Sequence, residues 1–377
     1  MKKFVIAPDK FKGSLTGLEF CDAVETGLRR VYKDAEIIRS PLADGGDGTI
    51  EVVRYYLDAD TVEATVNDPL FRSIKASYLY SPSSKTAYIE MAEASGLKVL
   101  QAHERNCMQT TTLGTGQLIT DAIDKGAKEI ILGIGGSATN DAGMGMATAL
   151  GFQFLDRHGK TLSPVGANLL HVCSIDTSEV IPELRDVLFK VACDVTNPFY
   201  GPTGAAHIYA RQKGATDADI VELDKGLKNF ANVLEEHFEL DVQKIPGAGA
   251  AGGMGAAACV FLNAELASGI ELVKDLANFD DIVKGADWII TGEGKLDEQT
   301  LSGKAIQGVL DTAKKHEIPV AALCGIIEIS ERTAEKLGLA YWVSVSRNMP
   351  NLEEALKHGY TNVVEAAADF ARELNKT

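Results

Sequence analysis

Short apolar runs alternate with helically spaced apolar residues toward both ends of the chain. Near the start, the pattern predicts a strand at 4–7 followed by a helix at 18–31, and a strand at 37–38 followed by a helix at 49–57. Near the other end it predicts strands at 288–291, 320–324 and 341–345. The helices between them are predicted at 305–316 and 333–337. Such alternation is typical of a parallel sheet with helices on both faces.

The middle of the chain has a different pattern. Three stretches predict paired strands, some of them antiparallel: 62–66, 74–79 and 86–90. A helix is predicted at 115–125, a strand at 130–134, and a long helix at 219–238, where apolar residues recur at three- and four-residue spacing. We therefore expect a two-domain α/β protein. A Rossmann-like parallel-sheet domain comprises residues 1–60 and 280–377, an inserted α/β domain with a mixed sheet comprises 61–279, and an active-site cleft lies between them.

Composition and charge narrow the class of protein. The chain has 377 residues, of which 45% are hydrophobic and 24% charged, as is ordinary for a globular protein. Its net charge of −16 argues against binding nucleic acid or an anionic membrane through bulk electrostatics. Six scattered cysteines without a C-x-x-C pair favour a reducing, cytoplasmic location. We expect no signal peptide and no transmembrane span, because the apolar runs are too short, and the pattern predicts no particular oligomeric state.

A glycine-rich loop follows the predicted strand at 130–134. Gly135 and Gly136 allow the backbone to approach an anion closely, and Ser137 and Asn140 add side-chain donors near a helix start. The spacing matches neither the Walker A motif nor the dinucleotide fingerprint. The loop therefore indicates a phosphate or carboxylate site, or else a tight turn in which small residues pack.

Two further loops are rich in glycine, and all three together suggest one polyanionic ligand bound from several sides, although each could be only a turn. The stretch 246–258 contains Gly252 and Gly253. The stretch 291–304 follows a predicted strand and mixes both charges, with Glu293, Lys295 and Asp297. Mixed charge suits a metal–phosphate site, and a salt-bridged surface loop is the alternative.

The first predicted strand leads into a loop with two lysines. Lys10 and Lys12 lie two positions apart, and Ser14 follows them. Lysine binds phosphate as a point charge, and α/β folds place ligands at the carboxyl ends of strands. The three residues are therefore candidates for binding, Lys10 also for a catalytic role, although two solvated surface lysines would give the same pattern.

Carboxylates follow two other predicted strands. Asp44 and Asp47 flank a glycine pair, and Mg²⁺ prefers one or two carboxylates together with phosphates and waters. An Asp-Gly turn, with Asp47 capping the next helix, is the alternative. Asp194 follows the apolar run 188–192 and is a candidate proton acceptor, or else a turn residue that bonds its own backbone.

Six ordered stretches carry a resemblance to a known family: 7–15, 41–49, 135–145, 193–201, 249–255 and 291–299. On these residues the chain resembles the bacterial glycerate kinase family over essentially its full length. The resemblance implies ATP-dependent phosphorylation of D-glycerate with Mg²⁺ in a two-domain α/β fold. The product is either 2-phosphoglycerate, which we favour, or 3-phosphoglycerate. Asp194 is then the first choice for the general base and Asp297 its rival.

Two other functions would use similar loops. A nicotinamide-dependent hydroxy-acid oxidoreductase also binds its ligands at strand ends, but should show a dinucleotide fingerprint. A non-catalytic sensor of sugar acids needs a binding site but not clustered aspartates and lysines.

Overall fold

The computed structural model describes residues 1–45, 48–297, 305–347 and 349–376. Contacts divide the chain into unit 1, formed by Met1–Tyr56 and Gly269–Thr377, and unit 2, formed by Leu57–Ser268. No helix within the described residues is both long and apolar enough to cross a membrane.

The first segment of unit 1 follows the predicted elements closely. It contains β1 (Lys3–Ile6), α1 (Gly17–Arg29), β2 (Glu36–Arg39) and α2 (Thr49–Leu57). Helix α1 begins at a capping box, in which Thr16 Oγ1 accepts from the N–H of Glu19 at 3.1 Å and Glu19 Oε2 accepts from the N–H of Thr16 at 2.8 Å.

Unit 2 is built on a mixed sheet. Its strands are β3 (Asp60–Asn67), β4 (Ser73–Ser81), β5 (Thr86–Glu90), β6 (Glu129–Gly133), β7 (Gln153–Leu155), β8 (Ser174–Asp176), β9 (Leu188–Ala192) and β10 (Glu265–Ala267). Its helices are α3 (Ala92–Ser95), α4 (Leu113–Asp124), α5 (Met144–Ala149), α6 (Ala205–Tyr209), α7 (Asp217–Phe238) and α8 (Ala250–Phe261). The main sheet has the order β10-β9-β6-β5-β4-β3.

The directions of these strands decide which strand ends meet at one edge of the main sheet of unit 2. Strands β3, β4 and β5 pair antiparallel, as predicted, whereas β5, β6, β9 and β10 pair in parallel. The carboxyl ends of the four parallel strands therefore lie at one edge of the sheet. The buried face of α7, which includes Leu223, Leu227 and Phe230, packs into the core as its spacing predicts.

The chain then returns to unit 1. The remaining elements are α9 (Gly269–Leu276), α10 (Phe279–Ile282), β11 (Trp288–Thr291), β12 (Lys295–Leu296), α11 (Ala305–Lys315), β13 (Val320–Cys324), β14 (Ile326–Ile327), α12 (Glu331–Leu337), β15 (Leu339–Ser344), α13 (Leu352–Lys357) and α14 (Gly359–Leu374). Helix α9 lies before residue 280 yet belongs to this unit, because Ile270 and Val273 join the core formed with Ile306 and Val309.

The main sheet of unit 1 is parallel throughout, with the order β15-β13-β11-β1-β2. Numbered along the unit, this is the 2-1-3-4-5 order of flavodoxin-like doubly wound sheets, whose topological switch point lies between the first and third strands. Here these strands are β1 and β11. The predicted fold class, α/β with a parallel sheet and a second, mixed sheet, is confirmed.

Helix α14 lies outside the predicted elements and packs closely on α1. A Cβ atom added at Gly27 would lie 2.4 Å from the carbonyl oxygen of Val364 and 2.7 Å from Cβ of Ala367. Glycine is needed in α1 at this point because the two helix backbones approach each other closely.

Candidate active site

A cavity of about 490 Å³ lies at the carboxyl ends of β1, β11 and β13, within unit 1. Its charged side chains come from the loops after β1, β2 and β11: Asp9, Lys10, Lys12, Asp44, Glu293 and Lys295. The cavity therefore opens at the topological switch point, where doubly wound folds bind their ligands. The structure brings together here three of the six stretches on which the family resemblance depends.

Hydrogen bonds fix the loop after β1 that carries Lys10 and Lys12, which we call the lysine loop. The N–H of Phe11 donates to the carbonyl oxygen of Leu15 at 2.9 Å, and the N–H of Leu15 donates to the carbonyl oxygen of Phe11 at 3.0 Å. Gly13 turns the chain between them with φ of 79°. Lys12 is exposed at this turn, and the hydroxyl of Ser14 donates to the carbonyl oxygen of Leu356 at 2.8 Å. Lys12 is thus presented by a rigid turn, while Ser14 anchors the turn to α13.

The loop after β2 lies against the lysine loop. A Cβ atom at Gly48 would be 2.8 Å from Cδ of Lys10, so the lysine stem covers this glycine. Asp44 lines the same cavity. Asp47 lies outside the described residues, so its predicted role as a metal ligand stays a prediction. Among the residues that the structure describes, no group of three or more His, Cys, Asp or Glu side chains could hold a metal ion.

The loop after β11 carries a buried carboxylate and an ion-pair cluster. Glu293 is buried, and its carbonyl oxygen accepts from the N–H of Gly325 at 3.0 Å. Lys295 Nζ lies 2.8 Å from Glu328 Oε2 and 3.3 Å from Asp297 Oδ2. The bond to Glu328 and then that to Asp297 raise the pKa of Lys295. Asp297, the rival choice for the base, is thus part of an ion pair.

Asp141 holds together the glycine-rich loop of unit 2. This fully buried carboxylate accepts from the N–H of Thr112 at 2.8 Å, of Gly145 at 3.1 Å and of Gly143 at 3.3 Å. It also accepts from the hydroxyl of Thr112 at 2.8 Å, and that hydroxyl accepts from the N–H of Met146. Burial raises the pKa of Asp141, but every partner is a donor, which suits a carboxylate. Asp141 is therefore a structural anchor for the loop.

A buried lysine that the sequence gives no reason to select supports the same loop. Lys213 is 2% exposed, and its Nζ donates to Ser137 Oγ and to the carbonyl oxygen of Thr139, both at 2.7 Å. Burial lowers the pKa of Lys213 to about 8, whereas the nearby Cys107 and Asp141 oppose this shift. Ser137, a predicted ligand residue, is thus positioned by a side chain 76 residues away.

Asn140 is the predicted ligand residue with the most unusual surroundings. It is fully buried, and within the described part of the chain neither its Oδ1 nor its Nδ2 has a hydrogen-bond partner. Thr139 Oγ1 shares this property. Buried polar atoms are rarely left unsatisfied, so these groups indicate a water molecule or a ligand. In contrast, Gly135 and Gly136 are exposed at the start of the loop.

The loop that carries Gly252 and Gly253 packs against the Asn140 loop. Ala251, Gly252 and Gly253 have φ of 52°, 75° and 96°, which breaks the regular geometry of α8. A Cβ atom at Gly252 would lie 2.2 Å from the carbonyl oxygen of Thr139, and the N–H of Ala142 donates to that of Gly252 at 3.1 Å. Both glycines therefore have a packing reason, and their role in ligand binding stays a prediction.

Asp194 is exposed, two residues beyond the end of β9. The loop after it is fixed by Asn197, which donates through Nδ2 to the carbonyl oxygen of Thr203 at 2.9 Å and accepts at Oδ1 from the hydroxyl of Tyr209 at 2.6 Å. The N–H of Gly249 donates to the carbonyl oxygen of Asn197 at 3.0 Å. Unit 2 thus connects the other three stretches of the family resemblance, those around Asn140, Asp194 and Gly252.

A doubly wound sheet with cationic and acidic loops at its switch point is an α/β architecture that binds ligands at this edge. The family model described as "Glycerate kinase family" matches residues 4–375. The chain belongs to the glycerate kinase family. It is therefore a phosphotransferase with an alcohol group as acceptor and, as a kinase, it uses ATP.

Individual relatives agree along the whole length. A glycerate kinase of Bacillus cereus (strain ATCC 10987 / NRS 248) is 44% identical over 98% of this chain and 97% of its own. A glycerate 2-kinase of Escherichia coli (strain K12) is 43% identical over 99% and 98%. A crystal structure from Salmonella typhimurium LT2, named as a glycerate kinase 2, superposes with a TM-score of 0.89 at 41% identity and covers 100% of this chain and 98% of its own.

We predict that replacing Lys213 by Met changes the pH dependence of stability. Below pH of about 8, folding must bury a charged ammonium. Between about 8 and the ordinary 10.5, the folded state has released this proton while the unfolded state retains it, so rising pH opposes unfolding. The native chain should therefore gain free energy of unfolding relative to Lys213→Met across this window, as measured by urea denaturation at several pH values.

The exposed Lys225 of α7 provides the matched control, since Lys225→Met removes a lysine without changing a buried charge. The free energy of unfolding is compared between the native chain and Lys213→Met at pH 7 and pH 10, values chosen to bracket the start of that window. A difference in this free energy that stays constant between the two pH values would contradict the prediction.

Proposed function

We propose that this chain transfers the γ-phosphoryl group of ATP to the 2-hydroxyl of D-glycerate, giving ADP and 2-phosphoglycerate. The cavity of unit 1, with Lys10, Lys12, Asp44 and Glu293 at the switch point of the sheet, is the observation that carries this proposal. The choice of the 2-hydroxyl is supported by the relative named glycerate 2-kinase, 43% identical to this chain.

Lys10 and Lys12 are proposed to neutralise phosphate oxygens of the nucleotide. Both line the cavity, and the turn at residues 11–15 holds Lys12 in place. Phosphoryl transfer depends mainly on positioning and on neutralising charge, which two lysines on a fixed loop supply. Ser14 contributes by anchoring this loop to α13.

Asp44 and Glu293 fit the requirements of Mg²⁺. Both carboxylates line the cavity beside the lysines, and Mg²⁺ takes one or two protein carboxylates, completing its shell with phosphate oxygens and waters. When bound, Mg²⁺ neutralises phosphate oxygens and orients the nucleotide. Lys295 is proposed to keep the loop after β11 in place through its ion pairs with Asp297 and Glu328.

Unit 2 is proposed to recognise glycerate. The amide of Asn140, buried and unsatisfied within the described residues, is suited to donate to the carboxylate of the substrate. Ser137, positioned by Lys213, and the exposed backbone at Gly135 and Gly136 would supply further donors. Gly252 and Gly253 support this loop from behind.

Asp194 is proposed as the general base. An alcohol is a poor nucleophile until its proton is accepted. Asp194 follows β9, which pairs in parallel with β6 inside the main sheet of unit 2, so its loop leaves a rigid element. Asp194 would take the hydroxyl proton as the oxygen bonds to phosphorus and the bond from phosphorus to the ADP oxygen breaks.

Turnover of the full chain tests the reaction. With ATP, Mg²⁺ and D-glycerate, we expect ADP release that requires glycerate, stops with EDTA, and gives the ³¹P NMR signal of 2-phosphoglycerate. A 3-phosphoglycerate signal would overturn the choice of hydroxyl only. Turnover with a nicotinamide cofactor but not with ATP would favour the oxidoreductase, and binding of sugar acids without turnover would favour the sensor.

We predict that Asp194→Asn lowers turnover by roughly 10²- to 10⁴-fold, the usual contribution of a positioned base. Asparagine keeps the shape of the side chain but cannot accept the proton, so glycerate binding measured by calorimetry should persist. Asp186→Asn, an exposed position in the same unit, is the control and should remain active. Normal turnover in Asp194→Asn together with loss of turnover in Asp297→Asn would assign the base to Asp297 instead.

We predict that Asp44→Asn raises the Mg²⁺ concentration needed for half-maximal rate by about tenfold, as expected when one charged contact is lost. The exposed Asp34 of the same unit offers the control, since Asp34→Asn removes an equal charge away from the cavity. An unchanged Mg²⁺ requirement in a folded Asp44→Asn variant would leave Asp44 as a turn residue only.

A further inference from the structure

The cavity of unit 1 has an apolar wall that phosphate binding does not explain. Ile326, Leu352 and Leu356 line it and are 38%, 61% and 38% exposed. Large apolar side chains that stay exposed on one concave surface indicate a binding site. The wall therefore points to a ligand with an apolar part in addition to the charged part that the lysines attract.

The apolar wall and the lysine loop form one fixed surface. Asn351 caps the start of helix α13, because its Oδ1 accepts from the N–H of Glu354 at 2.9 Å. The hydroxyl of Ser14 ties the same helix to the turn that presents Lys12. On the other side, the N–H of Ile326 donates to the carbonyl oxygen of Gly294 at 3.0 Å. A single ligand can therefore contact both surfaces without rearrangement of either.

We propose that this cavity is the nucleotide site, with the base and ribose against Ile326, Leu352 and Leu356 and the phosphates directed toward Lys10 and Lys12. The assignment rests on the proposed function, because it places the phosphoryl donor of that reaction. The volume of about 490 Å³ falls in the range of small-molecule sites.

The chemistry of glycerate and of the nucleotide decides which of these two reactants the cavity binds. Glycerate has three carbons that carry a carboxylate and two hydroxyls, so it has no apolar face to cover two leucines. A purine base has two flat apolar faces, and the phosphates attached to it through ribose match the lysine side of the cavity. Only the nucleotide has both properties.

Two ligands separate the halves of the site. ADP has a base and two phosphates, whereas inorganic pyrophosphate has the phosphates alone. Leu356→Gln keeps a good helix former but removes apolar surface, so ADP binding measured by calorimetry should weaken about tenfold while pyrophosphate binding stays unchanged. The KM for ATP should rise similarly, with the KM for glycerate unaffected. Lys12→Ala should weaken the binding of both ADP and pyrophosphate.

Leu18 of α1 is the matched control, because it is 37% exposed in the same unit and does not line the cavity. Leu18→Gln should bind ADP as the native chain does. If Leu356→Gln fails to fold, Leu352→Gln at the more exposed position provides the same test. Native ADP affinity in a folded leucine variant overturns this site alone, whereas failure of the native chain to bind ADP or ATP overturns the proposed function with it.

Discussion

Parallel pairing of β1 with β11 is the constraint on which the candidate site of unit 1 depends. The hydroxyl of Thr291 donates to the carbonyl oxygen of Ala7 at 2.8 Å, which joins residues 284 positions apart in the sequence. The N–H of Asp9 then donates to the carbonyl oxygen of Gly292 at 2.9 Å. Because parallel strands end at the same edge, the loops that carry Lys10 and Glu293 have to emerge side by side.

In unit 2, two buried charged side chains hold a loop of small residues in a defined conformation. Asp141 and Lys213 are both buried. Asp141 accepts from the N–H groups of Thr112, Gly143 and Gly145, and Lys213 donates to Ser137 and to the carbonyl oxygen of Thr139 in the loop around Asn140. A buried charge without such partners would be strongly destabilising. The two charges therefore fix the loop from the inside, while the exposed Gly135 and Gly136 stay available at its start.

The division of the six family stretches between the units gives the proposed reaction a physical basis. Those of unit 1 surround a cavity with lysines, carboxylates and an apolar wall, which suits a nucleotide with its phosphates and a cation. Those of unit 2 present amide and hydroxyl donors with an aspartate beyond a strand end, which suits a small hydroxy acid. The chemistry of each reactant thus corresponds to the side chains of one unit.

The sequence alone determined most strands and helices, the fold class and the loops that contain Lys10, Asp44 and Asp194, because periodicity and turn residues act over a few neighbouring positions. It could not indicate that Lys213 is buried, since a lysine at the end of a short helical segment is usually exposed. Nor could it place Leu352 and Leu356 beside Lys12, or assign α9 to unit 1. These features depend on contacts between residues far apart in the chain, and only the tertiary structure decides which distant side chains meet.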